Sequence, residues 1–201
     1  MLLTYRAFSN QARYTYCKSR LSGAQKIDIS HYDIQQVRQR KKVQCGPGGV
    51  LHDYVPFYLA PSSPMMFAIS KGNVEKCSSN TERLVYFVSS LDKTREANSN
   101  FVFSDGHATK AFTRIYDDLV SLNKIDWPLM QEQYWSDTKE DPDRSRRRQA
   151  EFLVHETFSW EAVEYLAVKT PNMKRRLDKY LSEEWPHRIK PVRVESDWYF
   201  P

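Results

Sequence analysis

Apolar and polar positions change their spacing several times along this chain, and each change marks a different short element. Residues 1–30 mix polar and aromatic side chains without a clear period, and only a loose helix over about 12–21 is expected there. Ile34, Val37 and the cationic run Arg38-Gln39-Arg40-Lys41-Lys42 predict a short helix that begins near His31-Tyr32-Asp33. It must stop in Cys45-Gly46-Pro47-Gly48-Gly49, where three of the six glycines sit. The stretch Leu51-His52-Asp53-Tyr54-Val55-Pro56-Phe57-Tyr58-Leu59 is rich in β-favouring residues, with Pro56 pointing to an edge strand or a bulge. Prolines and serines at 60–64 end it, and 65–69 opens a short helix or strand. Continuous apolar runs predict buried strands over 83–91 and at Phe101-Val102-Phe103. Ala108, Phe112, Ile115, Tyr116, Leu119 and Val120 follow helical spacing and predict an amphipathic helix over 108–122. A polar loop over about 131–148 follows, then a strand at 151–154 that opens on one acid, and another at 163–168. The last elements are a helix over 171–185, with Met173, Leu177, Tyr180 and Leu181 inward, and a terminal strand over 191–200. No repeat is visible and strands do not alternate strictly with helices, so the fold class is α+β, in a single domain over 1–201.

Composition narrows this picture. With 40% hydrophobic and 13% aromatic residues in 201, there is enough material for a core, and disorder is excluded as the overall state. The longest apolar runs, such as Leu84-Val85-Tyr86-Phe87-Val88, fall far below the roughly 18–20 residues that span a bilayer. The amino terminus lacks the order of a secretory signal, so a cytoplasmic protein without membrane contact is expected. Cys17, Cys45 and Cys77 are odd in number and widely spaced, which reads as three free thiols. His155-Glu156-Thr157-Phe158-Ser159 lacks the second histidine of a zinc helix, and no metal site is expected. Glycine motifs for dinucleotide binding, for a P-loop or for a nucleophile elbow are absent.

The net charge of +5 is mild, so the location of the cations matters more than their number. They gather at residues 38–42 and, after four acids within 137–143, at Arg144-Ser145-Arg146-Arg147-Arg148. By residue type alone both clusters are solvated surface, and Tyr54, Phe57 and Tyr58 are core or sheet surface. Glu151 is different. A carboxylate that opens Phe152-Leu153-Val154 must end at a sheet rim or be paired if buried.

The order and wording of these segments carry more. The strand containing Tyr54-Val55-Pro56-Phe57-Tyr58, then Ser63-Pro64-Met65, Phe101-Val102-Phe103-Ser104-Asp105-Gly106-His107-Ala108, Ile125-Asp126-Trp127-Pro128, Arg147-Arg148-Gln149-Ala150-Glu151 and Asp197-Trp198-Tyr199-Phe200 resemble the DarT family from about residue 27 onward. These are DNA ADP-ribosyltransferase toxins paired with a macrodomain antitoxin (DarG-like). The resemblance implies an ADP-ribosyltransferase fold, a central mixed sheet flanked by helices, and transfer of ADP-ribose from NAD to thymine in single-stranded DNA. It assigns Glu151 to the carboxylate that stabilises charge on the ribose, and to help in taking the proton from the attacking ring nitrogen. It assigns Arg38 to the NAD phosphates and to orienting the glutamate. On the DNA side it implies Tyr58 and Met65 against the substrate nucleotide, His107 as a polar partner and Arg147 as a phosphate contact, with the acids of 137–143 away from DNA.

One departure bears on turnover. Members of the family carry an earlier strand whose histidine grips the NAD ribose and nicotinamide, and no such segment precedes Leu3, while His31 and His52 lie elsewhere. The chain is therefore expected to lack that strand and to expose a sheet edge. The alternative this opens is a degenerate relative that binds single-stranded DNA or the antitoxin without turnover.

Overall fold

A computed structural model describes residues 2–6 (as backbone), 32–73, 81–97 and 100–200. The helix expected over 12–21, and Cys17 and Cys77 with it, lie outside the described residues; Cys45 is a free thiol. Eight strands form one sheet: β1 (Leu2–Arg6), β2 (Tyr54–Tyr58), β3 (Tyr86–Ser90), β4 (Phe101–Ser104), β5 (Ile115–Tyr116), β6 (Glu151–His155), β7 (Tyr165–Val168) and β8 (Val192–Val194). Their order is β5-β4-β6-β2-β1-β3-β7-β8, antiparallel throughout except for β7 with β8. Six helices accompany them: α1 (Tyr32–Arg40), α2 (Pro64–Ser70), α3 (Leu91–Glu96), α4 (Trp127–Gln131), α5 (Arg144–Arg147) and α6 (Pro171–Glu184).

Local chemistry explains where several helices begin. Ser63, Ser90, Asp126 and Thr170 each accept a backbone N–H from the first turn of α2, α3, α4 and α6, and proline stands in the first turn of three of them. The β2–β6 register then sorts side chains by face. Phe57 lies opposite Phe152 and Val55 opposite Val154, and all four pack beneath Ile125, Met130 and Trp127. Phe57 and Phe152 are fully buried, so truncating either to alanine costs about 3–5 kcal/mol. The other face carries Leu153 against Tyr54 and Leu51, next to Val102 and Ala108. Glu151 and Tyr58 end the register on this second face.

Four expectations are corrected. Pro56 is in neither an edge strand nor a bulge: β2 lies between β6 and β1, paired in full to β6 but meeting β1 only at Thr4↔Tyr58, so the ladder that needs an N–H from Pro56 is not built. No helix forms over 108–122. That segment instead makes turns, strand β5 and a short 3-10 turn capped by Asp118, leaving Phe112 89% and Val120 81% exposed. Its helical spacing was overridden by tertiary demands, since Ala108 and Thr113 are drawn into contacts with Glu151 and Arg146. The terminal strand is only Val192–Val194, followed by a 3-10 turn at Ser196–Trp198. Within α6, Leu181 is buried with Met173 and Leu177 packed beside it, but Tyr180 lies 40% exposed. At the other end, residues 2–6 form β1 between β2 and β3, so the described sheet is continuous through its centre and its edges are β5 and β8. The exposed edge expected of a missing strand is not a feature of it.

Candidate active site

The register that pairs Tyr58 with Glu151 places both at one end of adjacent central strands and on the same face. Glu151 is only 4% exposed, and a carboxylate so deep is tolerated only when both oxygens are engaged. They are. Arg38, in the last turn of α1 and itself 6% exposed, donates from Nη1 to Oε2 at 2.9 Å and from Nη2 to the Leu51 carbonyl at 3.2 Å. The backbone N–H of Ala108 donates to Oε1 at 2.9 Å, and His107 Nδ1 lies 3.4 Å from the same oxygen. Burial alone would raise the Glu151 pKa. Arg38, His107 and the Ala108 N–H outweigh it and hold the carboxyl at about 2, so Glu151 is ionised throughout the physiological range.

The segment that brings His107 and Ala108 to the carboxylate is itself tied to β6. Ser104 Oγ accepts the Glu151 N–H at 3.1 Å and donates to the Gly106 carbonyl at 2.6 Å, and the His107 N–H donates to the Arg146 carbonyl at 2.9 Å. Gly106 permits this approach, because a Cβ there would stand 2.9 Å from the Arg146 carbonyl and overlap its guanidinium. Lys41 closes another side, with Nζ donating to the Lys110 carbonyl at 2.7 Å; burial lowers its pKa despite the nearby Glu151 and Asp105.

The structure thus brings Glu151, Arg38 and His107 into one cluster with Tyr58 beside it. Met65 is in the first turn of α2, packed against the cluster around Tyr86 and Val88. It is linked to β6 through Arg148, which donates from Nη2 to the Pro61 carbonyl at 2.7 Å just before that helix. Arg148 is 3% exposed, its Nε and Nη1 have no partner, and burial lowers its pKa to about 10.

Arg147, the expected phosphate contact, is engaged by nearby acids. Its guanidinium meets Asp141 and, at 3.4 Å, Asp126. Arg146 is likewise held by Asp143 at 2.6 Å and Asp105 at 3.2 Å. The loop acids expected to stand apart from the recognition surface are therefore the partners of its arginines. Arg144 differs, donating to the Tyr134 carbonyl at 2.8 Å with no carboxylate partner among the described residues.

Sequence reasoning missed Ser104, Arg148 and the Ala108 N–H as parts of this site. Ser104 and Arg148 stand inside the segments singled out above, but a backbone donor has no side-chain signature at all.

The overall fold recurs in solved structures. Thermus sp. 2.9 DarT in complex with ADP-ribosylated ssDNA matches with a TM-score of 0.84 at 31% identity, covering 99% of this chain and 96% of that one. The same Thermus protein in complex with NAD+ matches at 0.78 and 32% identity, covering 99% and 97%. Among sequence relatives, a DNA ADP-ribosyl transferase of Thermus sp. (strain 2.9) is 38% identical over 173 residues, which span 86% of this chain and 80% of the relative. One from Escherichia coli O127:H6 (strain E2348/69 / EPEC) is 32% identical over 174 residues, 87% of this chain and 79% of the relative. These matches define the class, an ADP-ribosyltransferase fold. Within that class the chain belongs to the DarT family, whose model, described as ssDNA thymidine ADP-ribosyltransferase, DarT, matches residues 11–200.

Proposed function

We propose that this protein transfers ADP-ribose from NAD to a thymine base in single-stranded DNA and releases nicotinamide. The observation that carries the reading is the ionised Glu151 carboxylate, fixed from two sides by Arg38 and the Ala108 N–H, in a fold shared with Thermus DarT solved with NAD+ and with ADP-ribosylated ssDNA.

The chemistry follows from the charge. As the nicotinamide–ribose bond breaks, its electron pair leaves with nicotinamide and positive charge builds on the ribose; a preorganised anion beside that carbon lowers the barrier. Glu151 is suited to this because its hydrogen-bond partners hold it in place before reaction, with no reorganisation needed. A carboxyl held at about 2 is a weak base in the resting site, so its main action is electrostatic. Proton removal from the base follows bond formation, when the ring nitrogen carries positive charge and is acidic enough to give its proton to the Glu151 carboxylate. Arg38 spends two donors on Glu151 and the Leu51 carbonyl, so orienting the carboxylate is its primary role and contact with the NAD phosphates is left to its remaining N–H groups. Tyr58 and Met65 offer a flat ring and a thioether to an unpaired base. His107, touching Glu151, serves the reacting end of that base rather than the backbone.

A role as the toxin of a toxin–antitoxin pair, countered by a macrodomain antitoxin in the cytoplasm, rests on the family resemblance. None of the described helices is long and apolar enough to cross a membrane.

The test is mass spectrometry of a thymine-containing oligonucleotide incubated with protein and NAD. A gain of one ADP-ribose is expected, lost in Glu151→Gln. Absence of an adduct under conditions where calorimetry shows NAD bound would sink the transferase reading and leave the binding-only alternative.

A further inference from the structure

Away from Glu151, three aromatic rings from distant parts of the chain meet at the surface. Phe67, on α2 and 40% exposed, stands edge-on to Trp135 at 6.1 Å and to Phe200 at 5.2 Å between ring centroids. Tyr134, next to Trp135, is 79% exposed. Trp135 and Phe200 are half-buried, so the patch presents two exposed rings, Phe67 and Tyr134, on a partly covered aromatic base, and such a patch marks a surface that meets a partner.

The cations around the patch identify the kind of partner. Lys71 Nζ lies 5.5 Å from the Phe67 ring centre, Lys169 Nζ donates to the Phe200 carbonyl at 2.9 Å, and Arg144 donates to the Tyr134 carbonyl at 2.8 Å. None of the three pairs with a carboxylate among the described residues, in contrast to Arg146 and Arg147 a few positions along the same loop. Flat rings edged by uncompensated cations match a chain that alternates bases with phosphates. The patch is also joined to the site along the chain. Its loop runs through Arg148 to Glu151, and Arg148 holds Pro61, three residues before α2 begins.

We propose that Phe67 and Trp135 form a stacking platform for a nucleotide flanking the target thymine, with Lys71, Lys169 and Arg144 holding the adjoining phosphates. The assignment rests on single-stranded DNA being the substrate. Beside Arg147, which faces Asp126 and Asp141, it adds cations with no carboxylate partner among the described residues.

The experiment compares a dodecamer bearing one thymine with a thymine dinucleotide, measuring dodecamer binding and kcat/KM for transfer to each. Phe67→Ala and Trp135→Ala are expected to weaken dodecamer binding and transfer by about tenfold. Transfer to the dinucleotide, and nicotinamide release without DNA, should stay at wild-type values. Phe67→Tyr keeps the π-face and should retain affinity, whereas Phe67→Leu keeps apolar bulk alone and should lose it. Replacing Lys71 and Lys169 with alanine should flatten the salt dependence of dodecamer binding. Equal losses on both substrates, unchanged dodecamer binding in the alanine variants, or full affinity in Phe67→Leu would each overturn the platform. A wild-type protein that binds no dodecamer fails the single-strand reading itself, whereas wild-type binding with unaffected variants fails the platform alone.

Discussion

Arg38 and Arg147 each set a guanidinium against carboxylate, yet the two regions stabilise and serve the molecule in different ways. Arg38 and Glu151 are 113 residues apart in sequence, almost fully buried, and complete their hydrogen bonding with the Leu51 carbonyl and the Ala108 N–H. Out of water, each charge depends on the other, and removing one strands its partner. Arg147 meets Asp126 and Asp141 in the half-buried loop before β6, where solvent screens the attraction and can replace a lost partner. The same pair of groups is thus a fixed electrostatic device in one place and local bracing in the other. Burial makes the difference.

Substitutions can break or sharpen this contrast. The largest expected effect is on transfer. Glu151→Gln keeps the shape but removes the charge, and the adduct yield per unit time should fall by about 100-fold or more, read by mass spectrometry. Next is Arg38→Ala, which leaves Glu151 as an uncompensated buried anion and should cost about 3–5 kcal/mol in chemical denaturation. Arg38→Lys should recover only part of this, because a single ammonium cannot reach both Glu151 and the Leu51 carbonyl as the fork does.

The third effect is set by pH. Glu151 is depressed from 4.5 to about 2 in the folded protein. The unfolded chain therefore binds its proton first, and the stabilisation is complete above about pH 4.5 and lost as pH falls through about 2. The size is of order 3 kcal/mol in all, of which about 2 kcal/mol is lost between pH 7 and pH 3, and comparing denaturation of wild type and Glu151→Gln over that range measures that part. If the difference between the two proteins were constant over that range, the carboxyl would not be held down as described.

A smaller change is expected at Arg148, where two buried donors lack partners. Arg148→Met keeps the volume, removes the desolvated charge and should leave stability within about 1 kcal/mol of wild type. It also releases the Pro61 carbonyl, so KM for the oligonucleotide should rise while nicotinamide release without DNA is unaffected. The smallest effect belongs to Arg147→Ala, within about 1 kcal/mol in stability. Its loss of DNA affinity should be less than that of Arg144→Ala in the same binding assay. A cost at Arg147 matching that at Arg38 would erase the distinction between the two regions.

Much of this was legible along the chain wherever local chemistry and tertiary packing agreed. The helix ahead of the glycine-rich turn, the strand at 54–58, the buried strand at 86–90 and the last long helix all appear close to the expected positions. Glu151 announced itself as the one charge opening an apolar strand, and the structure pairs it as burial requires. Ala108 to Leu122 misled because its periodic apolar residues satisfy a helix on paper while the Ala108 N–H is needed by Glu151. The partners of Arg147 were not legible for a related reason: a loop with alternating blocks of acid and base does not say which charges will neutralise each other.

By itself, the sequence determined the α+β class, most element types, and the residues Glu151, Arg38 and Tyr58 as a set belonging to one family. Capping residues, apolar runs and turn-forming prolines act within a few positions, so they can be read in order. Only the tertiary structure decided that Pro56 sits in a central strand, that β1 fills the middle of the sheet, and that the Ala108 N–H completes the shell of the buried Glu151 carboxylate. It also decided which cations lack a carboxylate partner among the described residues, Arg144 and Lys71 rather than Arg146 and Arg147. The physical reason is common to all of these. Hydrogen bonding and charge compensation are settled by neighbours in space, and here those neighbours come from segments up to 113 residues away.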